Sequence, residues 1–168
     1  MTWLGEAADQ TFIAELVSRY RSHDPEIRLY PGVKDLLLSL RESYRFAIVT
    51  DGNAEMQRRK IAALGLSSFV DKVHYAWDLS APKPDPASFL KAIDKLGVSP
   101  ANTLVIGDDP HRDIVPARQI GCIAVRVRQG RFAFEENDEK CPPHLELQRT
   151  VDISKHLGLG RPQVKGCA

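Results

Sequence analysis

Short apolar runs, cut off by turns rich in glycine and aspartate and separated by helix-forming stretches, constrain this chain more than any other feature. Phe46-Ala47-Ile48-Val49-Thr50 ends at Asp51-Gly52-Asn53, and Thr103-Leu104-Val105-Ile106 ends at Gly107-Asp108-Asp109-Pro110. Ile123-Ala124-Val125-Arg126-Val127 is a third run, and Val73-His74-Tyr75-Ala76-Trp77 a further strand candidate. Runs this short, rich in β-branched residues, suit strands buried on both faces. Between them the spacing predicts helices over Ala54–Leu64, Ala87–Leu96 and Ile114–Ile120, each stopped by a glycine (Gly65, Gly97, Gly121) placed to cap it. Repeated strand–helix units predict an α/β fold, a Rossmann-like three-layer parallel sheet with helices on both faces.

The flanks are less regular. Phe12, Ile13, Leu16, Val17 and Tyr20 recur at helical spacing, so an amphipathic helix is expected over Thr11–Arg21. Tyr30-Pro31-Gly32 punctuates the chain, and a second helix is expected through Leu40. Past Gln129 the pattern fades. Arg131-Phe132-Ala133-Phe134 reads as an extra strand and Val151–Leu159 as a final helix, with a frayed end after Gly160.

Composition narrows the function classes. With 168 residues the chain can bury one domain core unaided. Its 23 Lys and Arg against 22 Asp and Glu give a net charge of +1, which argues for neither nucleic acid nor a membrane surface as partner. No apolar run reaches the roughly 18–20 residues of a membrane span. Cys122, Cys141 and Cys167 are too few and too scattered for a disulfide framework or a zinc knuckle. Reduced thiols and a cytoplasmic location are the expectation.

In an open parallel sheet, ligands bind where loops leave the carboxyl ends of neighbouring strands. Three segments should meet there. Thr50-Asp51-Gly52-Asn53 offers a hydroxyl and turn amides for an anionic oxygen. Lys83 sits in Ala81-Pro82-Lys83-Pro84-Asp85-Pro86, a cation on a loop stiffened by three prolines. Gly107-Asp108-Asp109-Pro110-His111-Arg112-Asp113 follows a strand and brings carboxylates that suit a hard divalent cation. An anion cradle, a lysine and a carboxylate cluster are the parts of a phosphoryl-transfer site. Singly, each has a plainer reading: Thr50 as a turn residue, Lys83 as a solvated lysine, the acids as helix caps.

Together and in this order, the three segments resemble motifs two, three and four of the haloacid dehalogenase superfamily. Val49-Thr50-Asp51-Gly52 resembles the second motif, Lys83-Pro84-Asp85-Pro86 the third, and Val105 through Ile114 the fourth. Tyr30-Pro31-Gly32-Val33 is similar to the turn that leads from that family's cap domain back into its core. The resemblance implies a phosphohydrolase core over 29–160, preceded by a helical cap remnant over 1–28 and followed by a flexible tail over 161–168. It implies that Thr50 and Lys83 are catalytic, that Thr50, Asp51, Gly52 and Lys83 bind phosphate, and that Asp108 and Asp109 hold Mg2+. Asp113 is expected to support the loop or cap the next helix.

The family's first motif, an apolar strand followed by Asp-x-Asp with the nucleophile first, has no counterpart upstream of Tyr30. Ala8-Asp9-Gln10 is not preceded by a strand, and His23-Asp24-Pro25 follows a helix. Asp51-Gly52-Asn53 imitates Asp-x-Asp, but its spacing to Lys83 favours the second motif. The sheet is therefore expected to lack its first strand. The strands ending at Thr50 and Ile106 must then pair directly, or a partner strand must lie between them, because a buried sheet does not tolerate two unpaired edges. A homodimer or a separate chain could complete it. Two functions follow: a Mg2+-dependent phosphatase for a small phosphorylated molecule, its nucleophile supplied from another segment or chain, or a non-catalytic interaction or regulatory module.

Overall fold

The computed structural model describes residues 9–78 and 81–157, so the proposed tail over 161–168 lies outside the described residues. The first helix, α1 (Gln10–Ser22), is capped by Asp9, whose carboxylate accepts from the Thr11 N–H. It buries none of its residues, and its apolar stripe, Phe12, Leu16 and Tyr20 included, faces outward. Helix α2 (Val33–Leu40) follows Gly32, which takes a left-handed φ of 80°.

Strand β1 (Ala47–Thr50) runs into α3 (Ala54–Ala63), started by Asn53, whose Oδ1 accepts from the Met56 N–H at 3.0 Å. Strand β2 (Lys72–Tyr75) returns parallel to β1, in register from Ala47 opposite Lys72 to Thr50 opposite Tyr75. Helix α4 (Ala87–Leu96) ends at Gly97, where a left-handed φ of 68° lets the chain turn away, as its sequence position foretells. Strand β3 (Leu104–Gly107) leads through a π-helical turn (Pro110–Ile114) into α5 (Val115–Gln119). Strands β4 (Ile123–Val127) and β5 (Leu145–Leu147) complete a parallel set in the order β3, β4, β5.

Alternation along the strands builds two cores, one on each side. Ala124 points to a cluster of Phe89, Ile93, Ile114, Ala117 and Cys122, against which Val49 and Val105 also pack. Its neighbours Ile123 and Val125 point the other way, to Leu36, Leu147, Ile153 and Leu157. This is the period-2 signature of a sheet covered on both faces. Burying an Ile such as Ile114 stabilises the fold by about 1.5–3 kcal/mol.

One alternative is not realised and three expectations need correction. Among the described residues β1 does not pair with β3: β1 bonds β2 and β3 bonds β4, in two separate parallel sheets, which leaves the other alternative, a strand between them, open. Residues 131–134 form turns rather than a strand. The buried Arg126 of β4 donates to the carbonyls of Phe132 (2.9 Å) and Glu135 and to Asn137 Oδ1, which folds that segment back on itself. The final helix is a 3-10 turn over Thr150–Lys155. The thiols are not all reduced: Cys122 is free and buried, whereas Cys141 is disulfide-bonded. Among the described residues no helix is long and apolar enough to cross a membrane.

Candidate active site

The loops after β1, β2 and β3 meet at one edge of the fold. Asp51, directly after β1, is the joint between them. Its Oδ1 accepts from the Lys83 backbone N–H at 3.1 Å, and its Oδ2 accepts from Arg112 Nη2 at 2.5 Å. One carboxylate thus ties together all three segments singled out in the sequence. Thr50 is fixed in place from the other side by its carbonyl, which accepts from the Ala76 N–H at 2.9 Å. Gly52 has a φ of 94°, a conformation that side-chain-bearing residues rarely adopt.

Lys83 reaches inward from the proline-rich loop and donates from Nζ to Asp113 Oδ1 at 2.6 Å. Both side chains are largely buried, 14% and 11% exposed, so the pair is screened little by solvent. The second oxygen of Asp113 accepts from the Asp109 N–H at 3.2 Å. Gly107 is what allows this arrangement. A Cβ at that position would overlap the Asp113 side chain, so the strand end must be glycine for the carboxylate to fold beneath it.

Asp109 takes the plainer of its two readings, a helix cap, with one of its oxygens. Its Oδ1 accepts from the N–H groups of His111 (3.0 Å) and Arg112 (2.9 Å), capping the π-helical turn. Of the two roles expected of Asp113, capping falls to Asp109, while Asp113 supports the loop through the Asp109 N–H and faces the lysine. The sequence reading also did not single out Arg112, whose only signal was membership of the same acid-rich loop.

Asp108 lies beside this group. Burial, chiefly, and then the negative charge of Asp113 and Asp109 hold its carboxyl above the usual carboxylate range, while Lys83 pulls weakly the other way. A Cβ on Gly130 would come within 3.2 Å of Asp108 Oδ2, so the loop after β4 closes over that oxygen by virtue of a glycine. Carboxylates crowded in excess over one lysine are a donor set that suits a hard cation. Among the described residues no group of three or more His, Cys, Asp or Glu side chains could by itself hold a metal. Mg2+ does not demand one, since it is commonly bound through one or two carboxylates, waters and substrate oxygens.

A threonine, a lysine and acids thus gather at the carboxyl ends of parallel strands, the edge at which open α/β folds bind their ligands. The chain belongs to the haloacid dehalogenase-like hydrolase family, whose model matches residues 3–127. It is 30% identical over 155 residues to a glyceraldehyde 3-phosphate phosphatase of Methanopyrus kandleri, covering 89% of this chain and 66% of the relative. It is 31% identical over 136 residues to a phosphoserine phosphatase of Thermus thermophilus, covering 80% and 52%. Its fold is similar to that of a haloacid dehalogenase-family phosphatase of Thermococcus onnurineus, with a TM-score of 0.68, 31% identity and coverage of 90% and 66%. The chain thus spans between about half and two-thirds of the length of these relatives.

Proposed function

We propose that this chain forms the greater part of a Mg2+-dependent phosphatase site for a small phosphorylated metabolite, and that the aspartate nucleophile comes from a segment outside residues 1–168. The observation that carries this reading is the hydrogen-bonded chain Asp51–Lys83–Asp113, which joins the three sequence motifs next to Thr50 and Asp108. The phosphatase names of the relatives support the reaction class, and their short phosphorylated substrates support the substrate class.

In this reading the Thr50 hydroxyl and the amides of Asp51 and Gly52 hold the oxygens of the transferring phosphoryl group. Lys83, kept in position by Asp113, offsets their negative charge. Asp51 orients the Lys83 loop and aims Arg112 along the site's rim, where 44% of the arginine side chain remains exposed. Asp108 is the leading Mg2+ ligand. Asp109 retains one oxygen beyond its capping role, and Asp113 is the nearest further carboxylate. When bound, Mg2+ would neutralise charge shared between these carboxylates and the phosphoryl oxygens. Covalent phosphoryl transfer then needs a carboxylate that attacks phosphorus.

The non-catalytic alternative, an interaction or regulatory module, is favoured by one observation, the edges of β1 and β3 that have no strand partner among the described residues. Hydrolysis of p-nitrophenyl phosphate with Mg2+ separates the two. The chain alone should be inactive. A chain extended at its N-terminus by an apolar strand ending in Asp-x-Asp should turn over, and Lys83→Met should abolish that turnover. An extended, folded chain with no turnover leaves the module reading in place, and activity of the chain alone that is lost in Asp51→Asn would make Asp51 the nucleophile.

A further inference from the structure

Among the described residues the largest side chain sealed wholly inside the protein is a charged one. Arg126 of β4 is 0% exposed, between Val125 and Val127, which are buried as a sheet covered on both faces requires. Its charge has no close counter-charge there: Glu146 Oε2 lies at 4.0 Å, and the Nε–H finds no acceptor among the described residues. Burying a guanidinium on these terms opposes folding, and an aliphatic residue of similar volume would serve stability as well or better. What the arginine contributes is the position of a loop.

That loop runs over 129–137, between β4 and β5, and forms no strand. Arg126 Nη2 donates to the carbonyls of Phe132, at 2.9 Å, and Glu135, and Nη1 donates to Asn137 Oδ1. Arg128, just past β4, donates from Nη1 to the carbonyls of Ala133 (3.1 Å) and Glu135 (2.9 Å). Glu146 of β5 closes the circuit, accepting from Arg128 Nε at 2.9 Å and from Asn137 Nδ2 at 2.8 Å. The guanidinium groups thus stand in for a neighbouring strand as partners of the loop's carbonyls. Arginine's planar fork, whose donors point in fixed and different directions, can gather acceptors this far apart along a loop; a lysine's single ammonium cannot. The loop in turn lies against the segment 108–111. A Cβ on Gly130 would meet Asp108 Oδ2 at 3.2 Å, and Glu135 Oε1 is 3.9 Å from His111 Nε2. Gly130 has a φ of 83°, so the close approach to Asp108 is made by backbone in a shape that suits glycine.

We infer that Arg126 is a positioning residue of the candidate active site: by holding the loop over 129–137 in one shape, it sets the Gly130 backbone against Asp108 and keeps that carboxylate in a single orientation. An unconstrained aspartate samples several staggered side-chain orientations. A hard cation such as Mg2+ demands near-ideal geometry of its ligands, so something must choose among them. Here the choice is made by a loop wall whose shape is fixed from inside the fold. Arg126, sealed from solvent, reaches neither phosphate nor metal and acts only through that loop. That the oriented carboxylate binds Mg2+ rests on the function proposed above; its orientation by the loop does not.

The test is NMR on the whole chain. Vicinal couplings across the Cα–Cβ bond of Asp108 report its orientation, and its carboxyl carbon shift is followed through a Mg2+ titration. In the parent, Asp108 should hold one orientation. Arg126→Met should average it over several and raise the Mg2+ midpoint about ten-fold, the low end of what loss of support behind a metal ligand costs. Asn137→Ala removes one acceptor of the clamp and leaves β4 intact. It should do the same to a smaller degree, and it decides the matter where Arg126→Met does not fold. Ile153→Val trims the core on the other face of β4 and should leave both readouts unchanged. An unchanged Asp108 in the clamp variants overturns the inference, as does an Asp108 already averaged in the parent. So does an equal effect from Ile153→Val, which would make Arg126 a matter of global stability alone. Orientation lost in the clamp variants, with no response of Asp108 to Mg2+ in the parent, would sink the Mg2+ reading alone. A Mg2+ response shared by parent and variants, with the orientation unchanged, would sink the positioning role alone.

Discussion

Replacing Lys83 by Met removes the ammonium while keeping most of the stem, and it strips Asp113 of its counter-charge. At 2.6 Å and an effective dielectric of about 20, the pair's gross attraction is roughly 6 kcal/mol, much of it offset by the desolvation of both groups. Breaking a buried pair on one side costs about 3–5 kcal/mol. Because both side chains retain slight exposure, we expect the lower end of that range, about 3 kcal/mol for Lys83→Met. Asp113→Asn should cost less, since the amide can still accept from the Asp109 N–H. The double variant should be less destabilised than the sum, with a coupling of about 1–2 kcal/mol. Urea denaturation at pH 7, comparing midpoints at constant m, measures all four corners. A Lys83→Met midpoint within about 0.5 kcal/mol of the parent, or a coupling near zero, would refute the claim that this pair anchors the site.

Three further outcomes are expected. Gly107→Ala should destabilise by about 1–3 kcal/mol in the same assay, because its methyl group overlaps Asp113, whereas Gly65→Ala, with open space around it, should show only the smaller cost of its positive φ. Asp108→Asn should slightly raise the melting temperature of the metal-free chain, since burial and two neighbouring acids already disfavour its charge; it should also remove any Mg2+-induced rise in melting temperature. The imidazoles of His74, buried, and His144, half-buried, are both held below their ordinary value, chiefly by desolvation. A depressed folded pKa contributes stability above the unfolded value of about 6.5, and that stability is lost as pH falls through the folded pKa. Thermal melts should therefore drop on acidification below about pH 6.5, and less so in His74→Gln.

Local chemistry explains which parts of this fold were legible in the sequence. Strands β1, β3 and β4 are continuous apolar runs bounded by glycine or aspartate, and helix ends at Gly65 and Gly97 obey the same stereochemistry in isolation as in the fold. Strand β5 was missed because Leu145-Glu146-Leu147 is too short for periodicity to register. The supposed strand at 131–134 failed because Arg126 and Arg128, remote in pattern terms, capture its carbonyls. In the site, the motifs fixed which residues gather but not how adjacent acids divide their tasks. Whether Asp109 or Asp113 caps the turn depends on the closeness of Gly107 to Asp113, a packing fact that residue spacing does not contain.

We propose that the chain holds a phosphatase site completed by an acid-bearing segment outside residues 1–168, and steady-state hydrolysis of p-nitrophenyl phosphate in Mg2+ tests this most directly. A chain extended at its N-terminus by an apolar strand ending in Asp-x-Asp should turn over. That turnover should vanish when the first aspartate of the added motif is replaced by asparagine, and vanish again in Lys83→Met. Turnover by the chain alone that survives Lys83→Met, or no turnover by a folded extended chain, would contradict it.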